Sequence, residues 1–157
     1  MKILVTSDMH GAVQNFETAL EREKDAKNVI FLGDGINKAE EISFMYSDKN
    51  FYMVSGNCDG IFTAEPPTKI ITLGGVKILI THGHPYSVKS SLSLLLQRAE
   101  QEGVKIALYG HTHIANVEQR NGIWLVNPGT LYGYNGLCSY STIDITDGKI
   151  YPKIVKI

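Results

Sequence analysis

The sequence of 157 residues predicts a single α/β domain of two packed β-sheets with helices outside. In the first third, short apolar runs alternate with amphipathic segments, which predicts a β-α-β-α-β unit with parallel strands and right-handed crossovers. In the second half, turn pairs separate apolar runs, which favours antiparallel strands. The length suits one domain with a substantial core, so the domain is expected to span residues 1–157.

In the first half, three apolar runs predict buried strands separated by two helices. The strands are expected at residues 2–6, 28–32 and 51–54. Apolar residues recur at helical spacing through residues 12–20 and again through residues 39–46. Asn37 precedes the second of these segments and is the expected N-cap.

The second half is predicted to begin with a hairpin and one long helix. Gly74-Gly75 separates two apolar runs, as in a hairpin with a two-residue turn. The helix is expected to have Ser87 or Ser90 as its cap and Gly103 at its end, with an apolar face of Val88, Leu92, Leu95, Leu96 and Ala99.

The chain after Tyr109 is predicted to be all strand. Asn121-Gly122 and Asp147-Gly148 are the expected hairpin turns. Pro152 cannot donate a ladder hydrogen bond, so the last strand is expected at a sheet edge.

Composition excludes several classes of function. The net charge is −1 and the basic residues are scattered, so an extended nucleic-acid face is not expected. No apolar run has membrane-spanning length, and no signal segment precedes the first strand, so we expect no membrane association and a cytoplasmic location. Two cysteines do not make a disulfide framework.

All five histidines lie just beyond apolar runs, where strands are predicted to end. Two further runs end in Gly33-Asp34 and in Gly56-Asn57-Cys58-Asp59. Sites in open α/β sheets form beyond the carboxyl ends of the strands. A metal site gathered from the whole chain is therefore expected, although any one of these residues alone is more typical of an ordinary polar loop or turn.

The spacing within the clusters indicates how ligands converge. Asp8 and His10 are two residues apart, and in extended chain such residues point the same way. The same argument applies to His111 and His113. Asp34 lies between two glycines, and its two carboxylate oxygens can bridge two cations.

The mixture of carboxylate, amide and imidazole indicates the kind of metal. Imidazole argues against magnesium or calcium alone, and the lack of paired thiolates argues against structural zinc. Manganese, iron, zinc, cobalt or nickel fits, with manganese the first choice. There are more candidate ligands than one ion needs, so two divalent ions are expected. Two close ions can clamp a phosphoryl group and generate a hydroxide nucleophile.

Five motifs resemble those of the calcineurin-like metallophosphoesterases and occur in the family order. They are Ser7-Asp8-Met9-His10-Gly11, Gly33-Asp34, Gly56-Asn57-Cys58-Asp59, Thr81-His82-Gly83-His84 and Gly110-His111-Thr112-His113. The match is closest to the small YfcE-like phosphodiesterases. The stretch Asn127-Pro128-Gly129-Thr130 also resembles a family loop beside the site.

The resemblance implies a metallophosphoesterase fold and a dinuclear metal centre. The fold is a single-domain four-layer αββα sandwich with two mixed β-sheets flanked by helices. By the resemblance, one metal ion is held by Asp8, His10, Asp34 and His113. The other is held by Asp34, Asn57, His82 and His111, so that Asp34 is the bridge.

Three further residues are candidate catalytic groups. Larger phosphatases of the superfamily have His where this chain has Cys58, and that His assists the leaving group. A thiol replaces an imidazolium poorly, so Cys58 is expected either to line the pocket or to be a small buried residue. His84 is expected to contact a ligand residue or substrate, and Asp59 to orient a neighbouring group.

The sequence favours a phosphodiesterase that uses a metal-bound hydroxide on a small phosphodiester substrate. A non-catalytic interaction scaffold on the same fold and a phosphomonoesterase are the alternatives, and a homo-oligomer is left open. For the segment with Tyr132, Tyr134 and Tyr140, packing or a subunit contact is favoured over stacking on a nucleoside.

Overall fold

The computed structural model describes residues 1–60, 63–133 and 137–157. Within these residues, ten strands form two five-stranded sheets, and three α-helices cover the outer faces. Both sheets are mixed, as the resemblance implies. The helices are α1 (Val13–Arg22), α2 (Ile36–Ser43) and α3 (Ser93–Glu102).

The first sheet joins the two ends of the chain. Its order is β10-β9-β1-β2-β3. The strands are β1 (Lys2–Thr6), β2 (Asn28–Phe31), β3 (Asn50–Met53), β9 (Ser139–Thr146) and β10 (Lys149–Lys156). β1, β2 and β3 run parallel, whereas β9 is antiparallel to both β1 and β10. The edge position of β10 confirms the expectation drawn from Pro152.

The second sheet corrects the expectation of an antiparallel second half. Its order is β4-β5-β6-β8-β7, and its strands are β4 (Thr68–Leu73), β5 (Val76–Thr81), β6 (Ile106–Leu108), β7 (Asn116–Arg120) and β8 (Ile123–Asn127). The hairpins β4-β5 and β7-β8 are antiparallel, but β6 pairs parallel with both β5 and β8. The helix α3 makes the crossover that parallel pairing of β5 and β6 requires.

Three buried clusters define four layers. Alternate side chains of each strand point to opposite faces, so Ile3 and Ile78 lie in a central cluster between the sheets. Leu4 and Phe16 belong to a second cluster, where α1 and α2 cover the first sheet. Leu79 and Leu95 belong to a third, where α3 covers the second sheet. The order of layers is therefore α, β, β, α.

The predicted helix caps were wrong, whereas the predicted helix end was right. Gly35, not Asn37, precedes α2 as its N-cap. The helix α3 begins after Leu92, because the chain first forms a short 3₁₀ helix at His84–Tyr86 and turns at Ser87, whose φ is 50°. Gly103 ends α3 in the left-handed conformation, as expected.

Three turn predictions hold, and one segment is less regular than expected. Gly74-Gly75, Asn121-Gly122 and Asp147-Gly148 have positive φ at both residues, as the tight turns of hairpins require. The described residues between β8 and β9 form no strand, although the whole chain after Tyr109 was expected to do so.

Among the described residues, no helix is long and apolar enough to cross a membrane.

Candidate metal centre

The polar strand ends meet at one edge of the two sheets. Asp8, Asp34 and Asn57 follow the parallel strands β1, β2 and β3, while His82 and His111 follow the parallel strands β5 and β6. Because parallel strands end at the same edge of a sheet, the side chains converge from both layers. The site therefore draws on the chain from residue 8 to residue 113, as the sequence predicted.

One group of donor atoms is centred on His10 and His113. Their Nε2 atoms lie 3.2 Å apart. His113 Nε2 lies 3.1 Å from Asp8 Oδ1, and His10 Nε2 lies 3.5 Å from Asp34 Oδ2. Ligands about 2.1 Å from a common ion are separated by about 3 to 3.5 Å, so this group has the spacing that a divalent cation needs.

A second group of donor atoms is centred on His82. Its Nε2 lies 3.1 Å from Asn57 Oδ1, 3.2 Å from His111 Nδ1 and 3.4 Å from Asp34 Oδ2. Asp34 Oδ2 is thus nearly equidistant from His10 and His82, one imidazole of each group. This position between the groups suits the bridging role that the resemblance implies for Asp34.

The buried oxygen Asp8 Oδ1 is the clearest sign of a cation site. It accepts no hydrogen bond from the described residues, although His10, His82 and His113 all present Nε2 within 3.9 Å. A buried carboxylate oxygen without a partner is costly. A divalent cation among these atoms would satisfy the oxygen, so the residues present fit a metal centre.

Strained backbone accompanies the candidate ligands. Five of them have positive φ, namely Asp8, His10, Asp34, His111 and His113, with values from 42° to 68°. This corrects the expectation of extended chain at Asp8-His10 and His111-His113, since tight turns bring these side chains together. Left-handed backbone is unfavourable for such residues and clusters at functional sites.

Glycines allow the ligand loops to touch. A Cβ on Gly33 would lie 2.4 Å from the backbone nitrogen of Gly56, and a Cβ on Gly56 would lie 2.0 Å from Asp34 Oδ1. The loops after β2 and β3 therefore pass each other at backbone contact. A Cβ on Gly110 would likewise lie 2.0 Å from Ser7 Oγ. Any larger side chain at these positions would displace a candidate ligand.

Supporting hydrogen bonds orient two of the ligands. His82 Nδ1 lies 2.7 Å from the carbonyl oxygen of Leu32, so donation there leaves Nε2 as the bare ligand atom. Asp8 Oδ2 accepts hydrogen bonds from Ser7 Oγ at 2.6 Å and from the backbone N–H of His111 at 3.0 Å. The sequence reasoning missed Ser7, for which adjacency to Asp8 was the only signal.

Asp59 ties two loops together through its carboxylate. Oδ2 accepts the backbone N–H groups of Asp34 and Gly56, and Oδ1 accepts those of Gly35 and Ile36, at 2.6 to 2.9 Å. Burial opposes ionisation, but these four donors outweigh it and lower the pKa of Asp59. Asp59 therefore holds the turn that presents Asp34, and it also caps the first turn of α2.

Cys58 and His84 border the centre as uncharged groups. Partial desolvation and the neighbouring Asp34 carboxylate raise the pKa of the Cys58 thiol in the metal-free protein. Burial and His82 lower the pKa of His84, whose Nδ1 is buried without a hydrogen bond among the described residues. Cys58 is exposed, which removes the interpretation of a small buried residue.

The three tyrosines noted in the sequence lie in different environments. Tyr140 is 1% exposed and donates a hydrogen bond to Glu23, so it belongs to the core as the packing interpretation expects. The ring of Tyr132 is partly exposed and lies edge-on to His10, with centroids 5.8 Å apart. Tyr134 lies outside the described residues.

Comparison with known sequences assigns the family. The profile of the calcineurin-like phosphoesterase superfamily domain matches residues 1–148. A Bacillus subtilis protein named "Probable metallophosphoesterase YsnB" is 34% identical over 134 residues, covering 83% of this chain and 75% of that protein. The phosphodiesterase YfcE of Escherichia coli K12 is 28% identical over 155 residues, covering 83% and 79%.

Comparison with solved structures supports the same assignment. A Streptococcus pneumoniae TIGR4 protein described as a predicted phosphoesterase has a TM-score of 0.81 at 27% identity, covering 98% of this chain and 88% of that one. A mutant of Vps29 from Entamoeba histolytica has a TM-score of 0.76 at 23% identity, covering 100% and 99%, which shows the fold alone. The chain therefore belongs to the calcineurin-like phosphoesterase superfamily, a metal-dependent family, and is similar to its small YfcE-like phosphodiesterases.

Proposed function

We propose that this protein hydrolyses phosphodiesters at a centre of two divalent metal ions. The observation that carries the proposal is the buried Asp8 Oδ1, which accepts no hydrogen bond from the part of the chain that the structure describes and faces three imidazole nitrogens. Asp34 Oδ2 supports the second ion, because it lies 3.5 Å from His10 Nε2 and 3.4 Å from His82 Nε2. Divalent ions, when bound, would stabilise charge on phosphoryl oxygens and lower the pKa of a water molecule.

The charges of the candidate ligands favour an anionic substrate. Asp8 and Asp34 are the two carboxylates among seven ligands, so they offset half of the charge of two divalent ions. The remaining positive charge attracts a phosphodiester monoanion. Manganese is the first choice of ion, and iron, zinc, cobalt and nickel also fit a mixture of oxygen and imidazole donors.

The uncharged groups beside the ligands favour diesters over monoesters. Cys58 carries a thiol, which is a much weaker acid than an imidazolium. A leaving alkoxide that needs strong protonation would gain little from it. A diester also carries less negative charge at neutral pH than a monoester and depends less on a protonated group nearby, so diester hydrolysis is the activity that these residues fit.

Two alternatives make different predictions. The first alternative is a non-catalytic interaction scaffold on the same fold. A scaffold would show no turnover of any ester at saturating metal. A phosphomonoesterase would hydrolyse p-nitrophenyl phosphate faster than the corresponding diester.

The test compares two chromogenic substrates with metal-stripped and manganese-loaded protein. We expect loaded protein to hydrolyse bis(p-nitrophenyl) phosphate, with a kcat/KM at least about tenfold above that for p-nitrophenyl phosphate. Chelation should abolish both reactions, and Asp8→Asn should lose diester turnover, whereas Asp25→Asn, a change of an exposed carboxylate, should retain it. Absence of diester turnover in loaded protein, or preference for the monoester, would contradict the proposal.

A further inference from the structure

Two cavities of different character flank the candidate metal centre. The larger, of about 530 Å³, has His113 and Tyr132 in its wall. The smaller, of about 250 Å³, is lined by His10 with Asp34 and Lys38 among others. Each cavity has one of two neighbouring candidate ligands in its wall, since the Nε2 atoms of His10 and His113 are 3.2 Å apart. A phosphoryl group at the centre can therefore direct one ester group into each cavity.

The larger cavity has a mostly apolar wall. Ile114, Ala115, Leu137 and Ile154 are aliphatic members of its lining, and the exposed Lys156 is the one charged residue among the described residues that line it. Ile114 is 71% exposed and Leu137 is 76% exposed, so large hydrophobic side chains face solvent beside the centre. The volume lies within the range of about 300 to 1,000 Å³ that is typical of small-molecule sites. Apolar surface in a concave site is stabilised when an apolar ligand group covers it.

Two hydroxyl groups in this cavity, those of Thr130 and Ser139, already lie at hydrogen-bond distance from backbone carbonyl oxygens. Thr130 Oγ1 lies 2.9 Å from the carbonyl oxygen of Asp8 and 3.0 Å from that of Tyr132. Ser139 Oγ donates to the carbonyl oxygen of Pro128 at 2.7 Å. A sugar entering the cavity would lose hydrogen bonds to water without gaining these partners. The wall therefore suits a hydrocarbon group better than a ribose.

Building on the proposed function, we infer that the larger cavity binds an apolar alkyl or aryl ester group of the phosphodiester substrate. The smaller cavity, with Lys38 and Asp34 in its wall, would receive the more polar ester group. A protein partner seated on the same wall would cover His113, whose Nε2 lies 3.1 Å from Asp8 Oδ1, and would obstruct the centre. An ester group covers this wall while its phosphorus remains at the centre.

The test measures inhibition by methyl alkyl phosphates, each of which carries a single apolar arm. The reporter is hydrolysis of p-nitrophenyl methyl phosphate by the manganese-loaded full chain. From dimethyl phosphate to butyl methyl phosphate, three methylene groups are added, and we expect the inhibition constant to fall about tenfold or more. A fall of less than about twofold would overturn the inference.

Substitutions in the wall test whether the dependence of inhibition on alkyl length arises in the larger cavity. Leu137→Asp places a charge on the apolar wall at a largely exposed position, so the fold should persist, and the dependence on alkyl length should disappear. Ile154→Asp tests the wall independently on β10. Phe44→Asp is the matched control, because Phe44 is 84% exposed at the end of α2 and does not line the cavity. An unchanged length dependence in both wall variants would contradict the assignment.

The outcomes separate the inference from the function on which it rests. No turnover of the reporter refutes the proposed function and the inference together, whereas turnover without length dependence refutes the inference alone. Light scattering on the same proteins tests whether a second copy of the chain covers the wall of the larger cavity. The inference would be overturned if the wild type is a dimer that Leu137→Asp dissociates and inhibition does not depend on alkyl length. The wall would then be a subunit interface.

Discussion

At the scale of single residues, Asp34 has the position expected of a shared ligand. Its Oδ2 lies within 3.5 Å of His10 Nε2 and of His82 Nε2, while its Oδ1 accepts the backbone N–H of Cys58. Asp34→Asn should weaken both metal sites, because it removes the negative charge between them. We expect diester turnover at limiting manganese to fall at least about 100-fold, with the folded structure retained by circular dichroism.

Asn57→Ala is the comparison for Asp34→Asn. Asn57 Oδ1 belongs to the donor group centred on His82, at 3.1 Å from His82 Nε2, so its loss should weaken mainly one ion. Titration of each metal-stripped variant with manganese distinguishes the two patterns. Unchanged turnover of Asp34→Asn at limiting metal would show that Asp34 is not the shared ligand.

Asp59 gives a separate prediction about positioning. In Asp59→Asn, one amide oxygen still accepts two backbone N–H groups, but the new NH₂ group faces the other two donors. Leaving buried donors unpaired costs about 1 to 3 kcal/mol, and a loosened turn at Asp34 should weaken manganese affinity about 10- to 100-fold. Calorimetric titration and metal-free thermal unfolding measure both effects.

The control for this change is Asp48→Asn. Asp48 is exposed and pairs with Lys27 on the surface, so neither stability nor manganese affinity should change appreciably. If Asp59→Asn binds manganese as tightly as the wild type, Asp59 does not position Asp34.

The residue types at the site could be predicted from the sequence, but the backbone conformation of these residues could not. Polar residues after apolar runs marked the strand ends, and the parallel order of β1, β2 and β3 implied that they meet. The left-handed turns at Asp8 and His111 arise from contacts between loops, such as the hydrogen bond from the His111 N–H to Asp8 Oδ2. No periodicity in either loop contains that information.

At the scale of elements, Tyr140 links β9 to the end of α1. Its hydroxyl donates to Glu23 Oε1 at 2.8 Å, and burial together with the Glu23 charge raises its pKa to about 12. In the unfolded chain, a tyrosine ionises near pH 10. The stabilising contribution of Tyr140 is therefore complete below pH 10 and is lost as the pH rises through about 12.

Tyr140→Phe tests this linkage. At pH 8 the variant should unfold about 1 to 2 kcal/mol more easily, and its difference from the wild type should shrink at pH 11. Urea unfolding at the two pH values provides the measurement. Tyr151→Phe, at an exposed position on β10, should match the wild type at both. A difference for Tyr140→Phe that does not change with pH would contradict the linkage.

Helix boundaries were predicted less well than helices. Asn37 is a favourable cap by type, but Asp59, 22 residues later in the chain, satisfies the N–H groups of Gly35 and Ile36 instead. A cap supplied from another loop leaves no mark in the local sequence. At Gly103 the signal was local, since a left-handed residue at a helix end favours glycine.

At the scale of the whole molecule, the sequence predicted least well which strands belong to which sheet. Each strand could be recognised by its apolar run, but no run indicates its partner. The C-terminal hairpin β9-β10 joins β1 in the first sheet, whereas β6 inserts between β5 and β8 in the second. These non-local pairings bring β1 and β6 into facing layers, where their loops supply Asp8 and His111 to one centre.

Counting the metal ions tests the central claim of a dinuclear phosphodiesterase most directly. Metal-stripped protein is titrated with manganese while bound metal and hydrolysis of bis(p-nitrophenyl) phosphate are followed in the same samples. We expect activity to rise with occupancy and to reach its plateau at about two ions per chain, and both to be lost on chelation. Full activity at one ion per chain, or two bound ions without turnover, would contradict the account.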